Sequence, residues 1–142
     1  MTAQGTFVPF DWTPQEPYDA ADGVSLAFIT LSKTFEGDLK GSSAVTMIVS
    51  SSEHEESRSY VAMERVTATI GDRSGTFVLQ HNAVSDEGDD SLTCTVVPGS
   101  GTGQLKGLRA AHPHRPRRRP LLCLRPQAAL TRPTAPGPPR RR

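Results

Sequence analysis

Two pairs of adjacent polar residues interrupt apolar stretches in which a reacting group would be sheltered from water. Glu64 and Arg65 form the first pair, and Gln80 and His81 form the second. If each stretch is a strand, successive side chains alternate between its faces, so one member of each pair points inward. A carboxyl group removed from water has a raised pKa and can donate or accept a proton, and an imidazole can act as a general base. Glu64 and His81 are therefore the predicted catalytic residues.

The same two stretches supply the predicted ligand-binding residues, which are aromatic or polar side chains on strands: Tyr60, Arg65, Phe77 and Gln80. The interior of a small barrel can hold one small ligand, and these side chains would line it. Two other interpretations stay open. Glu64 can pair with Arg73 or another cation as a purely structural bridge, and aromatic residues on strands are ordinary core residues.

No motif predicts a metal or a cofactor. Residues 53–56 (EHEE) are contiguous in a serine-rich segment and have no second histidine or cysteine at ligand spacing. Residues 99–103 (GSGTG) lack the lysine of a phosphate-binding loop, so they are predicted to form a tight β-turn. Cys94 alternates with Leu92 and Val96, and we expect it to be a buried, inert thiol.

The segments that must position these side chains are predicted to be strands. Short apolar runs, rich in β-branched residues, are separated by turn-forming residues and cover 6–12, 24–35, 39–50, 60–70, 76–84 and 92–97, with a seventh beginning over 104–108. No run shows the apolar spacing of an amphipathic helix. The pattern predicts an all-β, antiparallel meander that forms a barrel or a sandwich.

Charge divides the 142 residues into two parts. Residues 1–109 hold all 15 acidic residues and 7 of the 16 Lys and Arg residues, whereas residues 110–142 hold nine arginines and eight of the 12 prolines. This division predicts a domain over 1–109 and a disordered, Arg/Pro-rich tail over 110–142. We also expect a cytoplasmic protein with no membrane partner, because neither a long apolar run nor a signal peptide is present.

Three stretches, taken together, resemble the small bacterial family of unknown function called DUF3224. They are residues 33–43 (KTFEGDLKGSS), then 60–65 (YVAMER) with 75–81 (GTFVLQH), and then 97–105 (VPGSGTGQL). The resemblance covers about residues 4–109. It implies an eight-stranded antiparallel barrel of the allene oxide cyclase type and no settled activity.

The tail departs from that family, whose members continue with two further strands that close the barrel. A proline-rich segment cannot supply a central strand, so we expect an incomplete barrel and interpret the tail as the product of a shifted reading frame. Residues 121–124 (LLCL) are the one apolar run there and could cover part of the open edge.

The leading functional hypothesis is a barrel that binds a small apolar ligand, or an isomerase or cyclase by analogy with allene oxide cyclase. One alternative is an acid peptidase of the aspartic type that processes itself, which needs two carboxylates close together. Another is a noncatalytic barrel that assembles into a homo-oligomer. The arginines of the tail are not interleaved with aromatic residues, so no specific nucleic-acid partner is predicted.

Overall fold

The computed structural model describes residues 2–110 and 121–126, and almost all regular structure in these residues is β-strand. The strands are β1 (Thr2–Pro14), β2 (Asp19–Ala21), β3 (Val24–Gly37), β4 (Leu39–Ser52), β5 (Arg58–Ile70), β6 (Arg73–Asp86), β7 (Asp89–Val96), β8 (Arg109–Ala110) and β9 (Leu121–Pro126). A short 3-10 helix, η1 (Gly103–Leu105), precedes β8. The prediction of an all-β fold is confirmed, and no helix in this part of the chain is long and apolar enough to cross a membrane.

All nine strands belong to one sheet, and its centre is an antiparallel meander. The strand order is β7-β6-β5-β4-β3-β1-β9-β8, with the short β2 paired to β3 off this path. The connections between β3 and β7 are hairpins of one to five residues, as the predicted turn segments require. The end strands β7 and β8 approach each other, but no ladder joins them among the described residues, so the sheet does not close into a barrel.

Residues 121–126 of the tail form strand β9. This finding corrects the expectation that the proline-rich tail cannot supply a central strand. Strand β9 pairs in parallel with β1 on one side and with the two-residue β8 on the other. Its residues 121–125 contain no proline, and Pro126 ends the strand, so the ladder donors that proline would remove are present. The prediction of disorder over the rest of 110–142 lies outside the described residues.

The predicted seventh strand over 104–108 is wrong. Its amides bond locally, since Leu105 N donates to the carbonyl of Thr102 and Leu108 N donates to the carbonyl of Leu105. Leu105 ends η1 and a turn follows it, and Leu105 and Leu108 are both buried, whereas residues three apart on a strand point to opposite faces.

The glycine-rich segment 97–105 covers an edge of the sheet. Strand β7 pairs only with the second half of β6, from Leu79 onwards, and the segment bonds to the first half. Thr102 N donates to the carbonyl of Thr76, and Thr76 N donates in turn to Thr102 Oγ1 at 3.0 Å. The segment begins with the expected turn and then acts as a strand substitute, which satisfies backbone groups that would otherwise be unpaired.

The inner face of the sheet holds two apolar clusters. The packed core consists of Ala3, Phe35, Leu39, Val66, Ala68, Ile70, Phe77, Leu79, Val96, Leu105 and Leu108. The cavity-side cluster consists of Leu31, Val45, Met47 and Ala62, with Ile29, Val49 and Tyr60 packed against it. Cys94 is exposed, contrary to expectation, and it lies on β7, the strand that ends the described sheet.

Candidate functional site

Glu64 lies at the boundary between the two clusters. On β5 it pairs in register with Val45, which belongs to the cavity-side cluster, and with Leu79, which belongs to the packed core. Its side chain is 0% exposed, whereas the following Arg65 is exposed on the outer face. The strand alternation expected for this pair is thus observed, and a carboxyl group is placed in the interior.

Three side chains from three strands satisfy this carboxylate. Lys33 Nζ on β3 lies 2.9 Å from Glu64 Oε2, and His81 Nε2 on β6 lies 2.5 Å from the same oxygen. Ser43 Oγ on β4 donates to Glu64 Oε1 at 2.5 Å. Both oxygens are therefore bonded, and no buried side-chain nitrogen or oxygen in the described part of the chain lacks a partner. We call Lys33, Ser43, Glu64 and His81 the polar cluster.

The charges of the polar cluster depend on these contacts. Burial alone raises the pKa of Glu64, but its hydrogen bond with His81 and the charge of Lys33 outweigh burial and hold this pKa below its ordinary value. Burial alone lowers the pKa of His81, but interactions with the Cys94 side chain and the Glu64 carboxylate outweigh it and raise the pKa to about 9. At neutral pH Glu64 is therefore ionised and His81 is protonated.

A cavity of about 350 Å³ opens beside the polar cluster. The residues that line it are mainly apolar: Phe7, Pro9, Trp12, Ile29, Leu31, Lys33, Val45, Met47, Val49, Arg58, Tyr60, Ala62 and His81. Lys33 and His81 thus belong both to the polar cluster and to the cavity wall. Glu64 is not exposed to the cavity and lies behind these two side chains.

The predicted site residues separate into three groups. His81 and Tyr60 line the cavity, and Glu64 lies behind His81 and bonds it; Tyr60 is half-buried, and burial raises the pKa of its phenol. Phe77 is fully buried in the packed core, away from the cavity wall. Arg65 and Gln80 are exposed on the outer face because they occupy the opposite phase of their strands, so the structure does not bring them to the cluster.

Sequence reasoning did not single out Lys33 or Ser43. It allowed Glu64 to pair with Arg73 or another cation, and the cation is Lys33. Arg73 is exposed at the start of β6, whereas Lys33 is the lysine that bonds Glu64. A signal was available, because Lys33 shares the strand face of Leu31 and Phe35, both of which are buried. A lysine on the buried face of a strand is a candidate for an ion pair in the interior.

Lys33 has a second contact that fixes its position at the cavity. Its ammonium lies 4.5 Å from the centroid of the Phe7 ring, and that ring packs against Phe35 with the centroids 6.1 Å apart. Such cation–π contacts stabilise a partly desolvated ammonium. The described residues contain no group of three or more His, Cys, Asp or Glu side chains arranged to hold a metal ion.

Comparison with known proteins assigns the chain to a family. The profile of the DUF3224 family, described as a protein of unknown function, matches residues 3–112. The chain belongs to the DUF3224 family. This confirms the resemblance carried by residues 33–43, 60–65, 75–81 and 97–105.

A solved structure of the same family supports the assignment. It is a protein of unknown function from the DUF3224 family of Shewanella oneidensis MR-1, with 38% sequence identity and a TM-score of 0.69. The match covers 74% of this chain and 78% of that one. No curated protein matches this DUF3224 chain significantly.

Proposed function

We propose that this DUF3224 protein binds a small apolar ligand in the cavity beside the polar cluster. The observation that carries the proposal is the contrast between the two halves of the interior. Side chains fill the packed core, whereas the cavity-side cluster surrounds about 350 Å³ of open space. Ligand sites are typically concave and apolar with a few converging polar groups, and this cavity has that composition.

The polar cluster supports an isomerase or cyclase as the catalytic form of this proposal. Lys33 would polarise an oxygen atom of the ligand, and His81, protonated at neutral pH, would donate a proton to it. Glu64 would hold both cations in position through its Oε2 atom. The analogy with allene oxide cyclase points to the same class of reaction, and it rests on fold.

An aspartic-type acid peptidase is less well supported. That mechanism needs two carboxyl groups that share a proton. The side chains that bond Glu64 are Lys33, Ser43 and His81, and no second carboxylate is among them in the described part of the chain. Incubation of the purified protein near pH 4, followed by electrophoresis, would reveal fragments if the peptidase hypothesis held.

A row of exposed apolar side chains favours homo-oligomeric assembly as a second candidate function. Phe28, Ile48 and Val61 lie opposite one another in register across β3, β4 and β5 on the outer face, exposed by 36%, 36% and 50%. Exposed apolar patches on strands commonly mark interaction surfaces. Light scattering after size-exclusion chromatography tests this candidate, and a monomer of the native chain at high concentration would exclude it.

The cavity proposal is tested with a neutral fluorescent probe, 1-aminoanthracene, and two matched variants. Ala62→Phe places a ring in the cavity, whereas Met63→Phe places the same ring on the outer face, where Met63 is 50% exposed. We expect the native chain and Met63→Phe to enhance the probe's fluorescence, and Ala62→Phe to lose most of the effect. Circular dichroism would establish that both variants fold, since overpacking costs about 1–3 kcal/mol. Equal binding by all three chains would contradict the proposal.

A further inference from the structure

We infer that the ligand is an amphipathic anion, in which a hydrocarbon portion occupies the cavity and a single carboxylate or similar group contacts Lys33 and His81. This inference rests on the proposed function and specifies the chemical class of its ligand. It is based on the charged side chains around the cavity, because the apolar side chains that line the cavity do not determine the charge of a ligand.

The ionisable groups of the cavity wall are cationic or phenolic. Lys33, Arg58 and His81 line the cavity together with Tyr60, and no aspartate or glutamate lines it among the residues that the structure describes. Glu64 bonds two residues of this wall, Lys33 and His81, and its side chain is fully buried and does not line the cavity. A ligand in the cavity therefore faces cations rather than the carboxylate.

The polar cluster has more positive than negative charge. One Glu64 oxygen is shared by Lys33 and His81, and the other accepts the hydroxyl of Ser43. With Lys33, His81 and Glu64 ionised, two cations share one carboxylate, and this leaves a net charge of +1 in a largely buried place. Since an uncompensated buried charge is costly, an anion beside Lys33 and His81 would offset that cost.

Arg58 is a further basic residue of the cavity wall, and it is distant from the polar cluster. Arg58 lies six residues before Glu64 on β5, and at about 3.3 Å per residue this separation is roughly 20 Å along the strand. Arg58 is exposed and forms no salt bridge with a described residue. It marks the mouth of the cavity, where its charge would attract an anion before the anion reaches Lys33.

The size of the cavity limits the hydrocarbon portion. A volume of about 350 Å³ corresponds to roughly a dozen water-sized groups at the ~30 Å³ that one water occupies. Side chains around this volume, such as Ile29, Val45, Met47 and Val49, offer no polar atom to a ligand. A ten-carbon chain with a carboxylate fits both the size and the charge.

The experiment measures displacement of 1-aminoanthracene by decanoate and by 1-decanol at pH 7. We expect decanoate to displace the probe at about tenfold lower concentration than 1-decanol does. Lys33→Met and His81→Gln, which each lower the charge of the polar cluster by one, should each reduce that preference at least threefold. Lys40→Met is the matched control, because Lys40 is exposed and removed from the cavity, and it should keep the preference.

The outcomes separate the two proposals. A native chain that binds no probe overturns the cavity proposal and this inference with it. If the native chain binds the probe, and decanoate and 1-decanol displace it at equal concentrations, the cavity proposal stands and the inference of an anionic ligand is wrong. A preference for decanoate that survives in both Lys33→Met and His81→Gln overturns the assignment of the anion to the polar cluster. Should either variant fail to fold, the other alone carries the test.

Discussion

Glu64 and His81 bond across adjacent strands although they do not face each other in the ladder. Glu64 pairs with Leu79 and His81 pairs with Ala62, yet Glu64 Oε2 and His81 Nε2 are 2.5 Å apart. The contact is therefore diagonal, between neighbouring rows of the inner face, where long side chains can reach each other. The same carboxylate oxygen also bonds Lys33, which reaches it from β3 on the other side of β5.

Removing the charge of Glu64 should destabilise the fold. Glu64→Gln leaves Lys33 and His81 without their shared counter-ion in a buried position, and we expect a loss of about 3 kcal/mol in the free energy of unfolding. Urea denaturation measures this loss. Glu36→Gln, a change at an exposed position on β3, is the control and should stay within about 0.5 kcal/mol of the native chain. A similar small effect for both variants would mean that the polar cluster does not stabilise the fold.

Stability should fall on the alkaline side through His81. Its pKa rises from 6.5 to about 9 on folding, so the folded state binds more protons between these values. The stabilisation is complete below pH 6.5 and is lost as the pH rises through about 9. Urea midpoints at pH 6 and pH 10 measure the loss, and His81→Gln should remove a large part of the difference. A native profile that is flat over this range would contradict the protonated state of His81.

Stability should also fall on the acid side through Glu64. Its pKa is lower in the folded state than the ordinary 4.5, so this contribution is complete above pH 4.5 and is lost as the pH falls through the folded value. The two groups together place the greatest stability from the polar cluster between pH 4.5 and 6.5. Urea midpoints at pH 3 and pH 5.5 test the acid side, with Glu64→Gln expected to show the smaller change.

Gly75 should be intolerant of a side chain because the glycine-rich segment crosses it. A Cβ atom at Gly75 would lie 2.2 Å from the carbonyl oxygen of Thr102, so Gly75→Ala would force this segment away from β6. We expect thermal unfolding to show a larger loss for Gly75→Ala than for Gly99→Ala. A Cβ at Gly99 meets nothing within 4 Å, so the cost there is the roughly 1–2 kcal/mol of its left-handed backbone. Equal losses would show that the segment does not pack on β6 as described.

The strands were predictable from sequence because they depend on local alternation, which also requires that one of Glu64 and Arg65 point inward. The structure shows that Glu64 is that residue. Residues 39–52 show the buried Val45 and Met47 alternating with exposed neighbours, and Glu64 lies in the inward phase of its own strand. The identity of its partner was not predictable in the same way. Lys33 is 31 residues away, and only the register of β3, β4 and β5 brings it to Glu64.

The wrong predictions have a common cause in contacts that the sequence does not display. Residues 104–108 look like a strand by composition, but local hydrogen bonds and the packing of Leu105 and Leu108 make them the end of η1 followed by a turn. Cys94 has apolar neighbours, but it lies on the strand that ends the described sheet and is exposed. The interpretation of residues 110–142 as a shifted reading frame stays a prediction.

The most direct test of the central claim is a crystal structure of the protein soaked with 10-bromodecanoate. We expect an anomalous bromine peak within the cavity lined by Val45, Met47 and Val49, or at its mouth, with the carboxylate bonded to Lys33 and His81. A bromine peak on the outer face beside Ile48, or a cavity that contains only water at a saturating concentration of the ligand, would contradict the account.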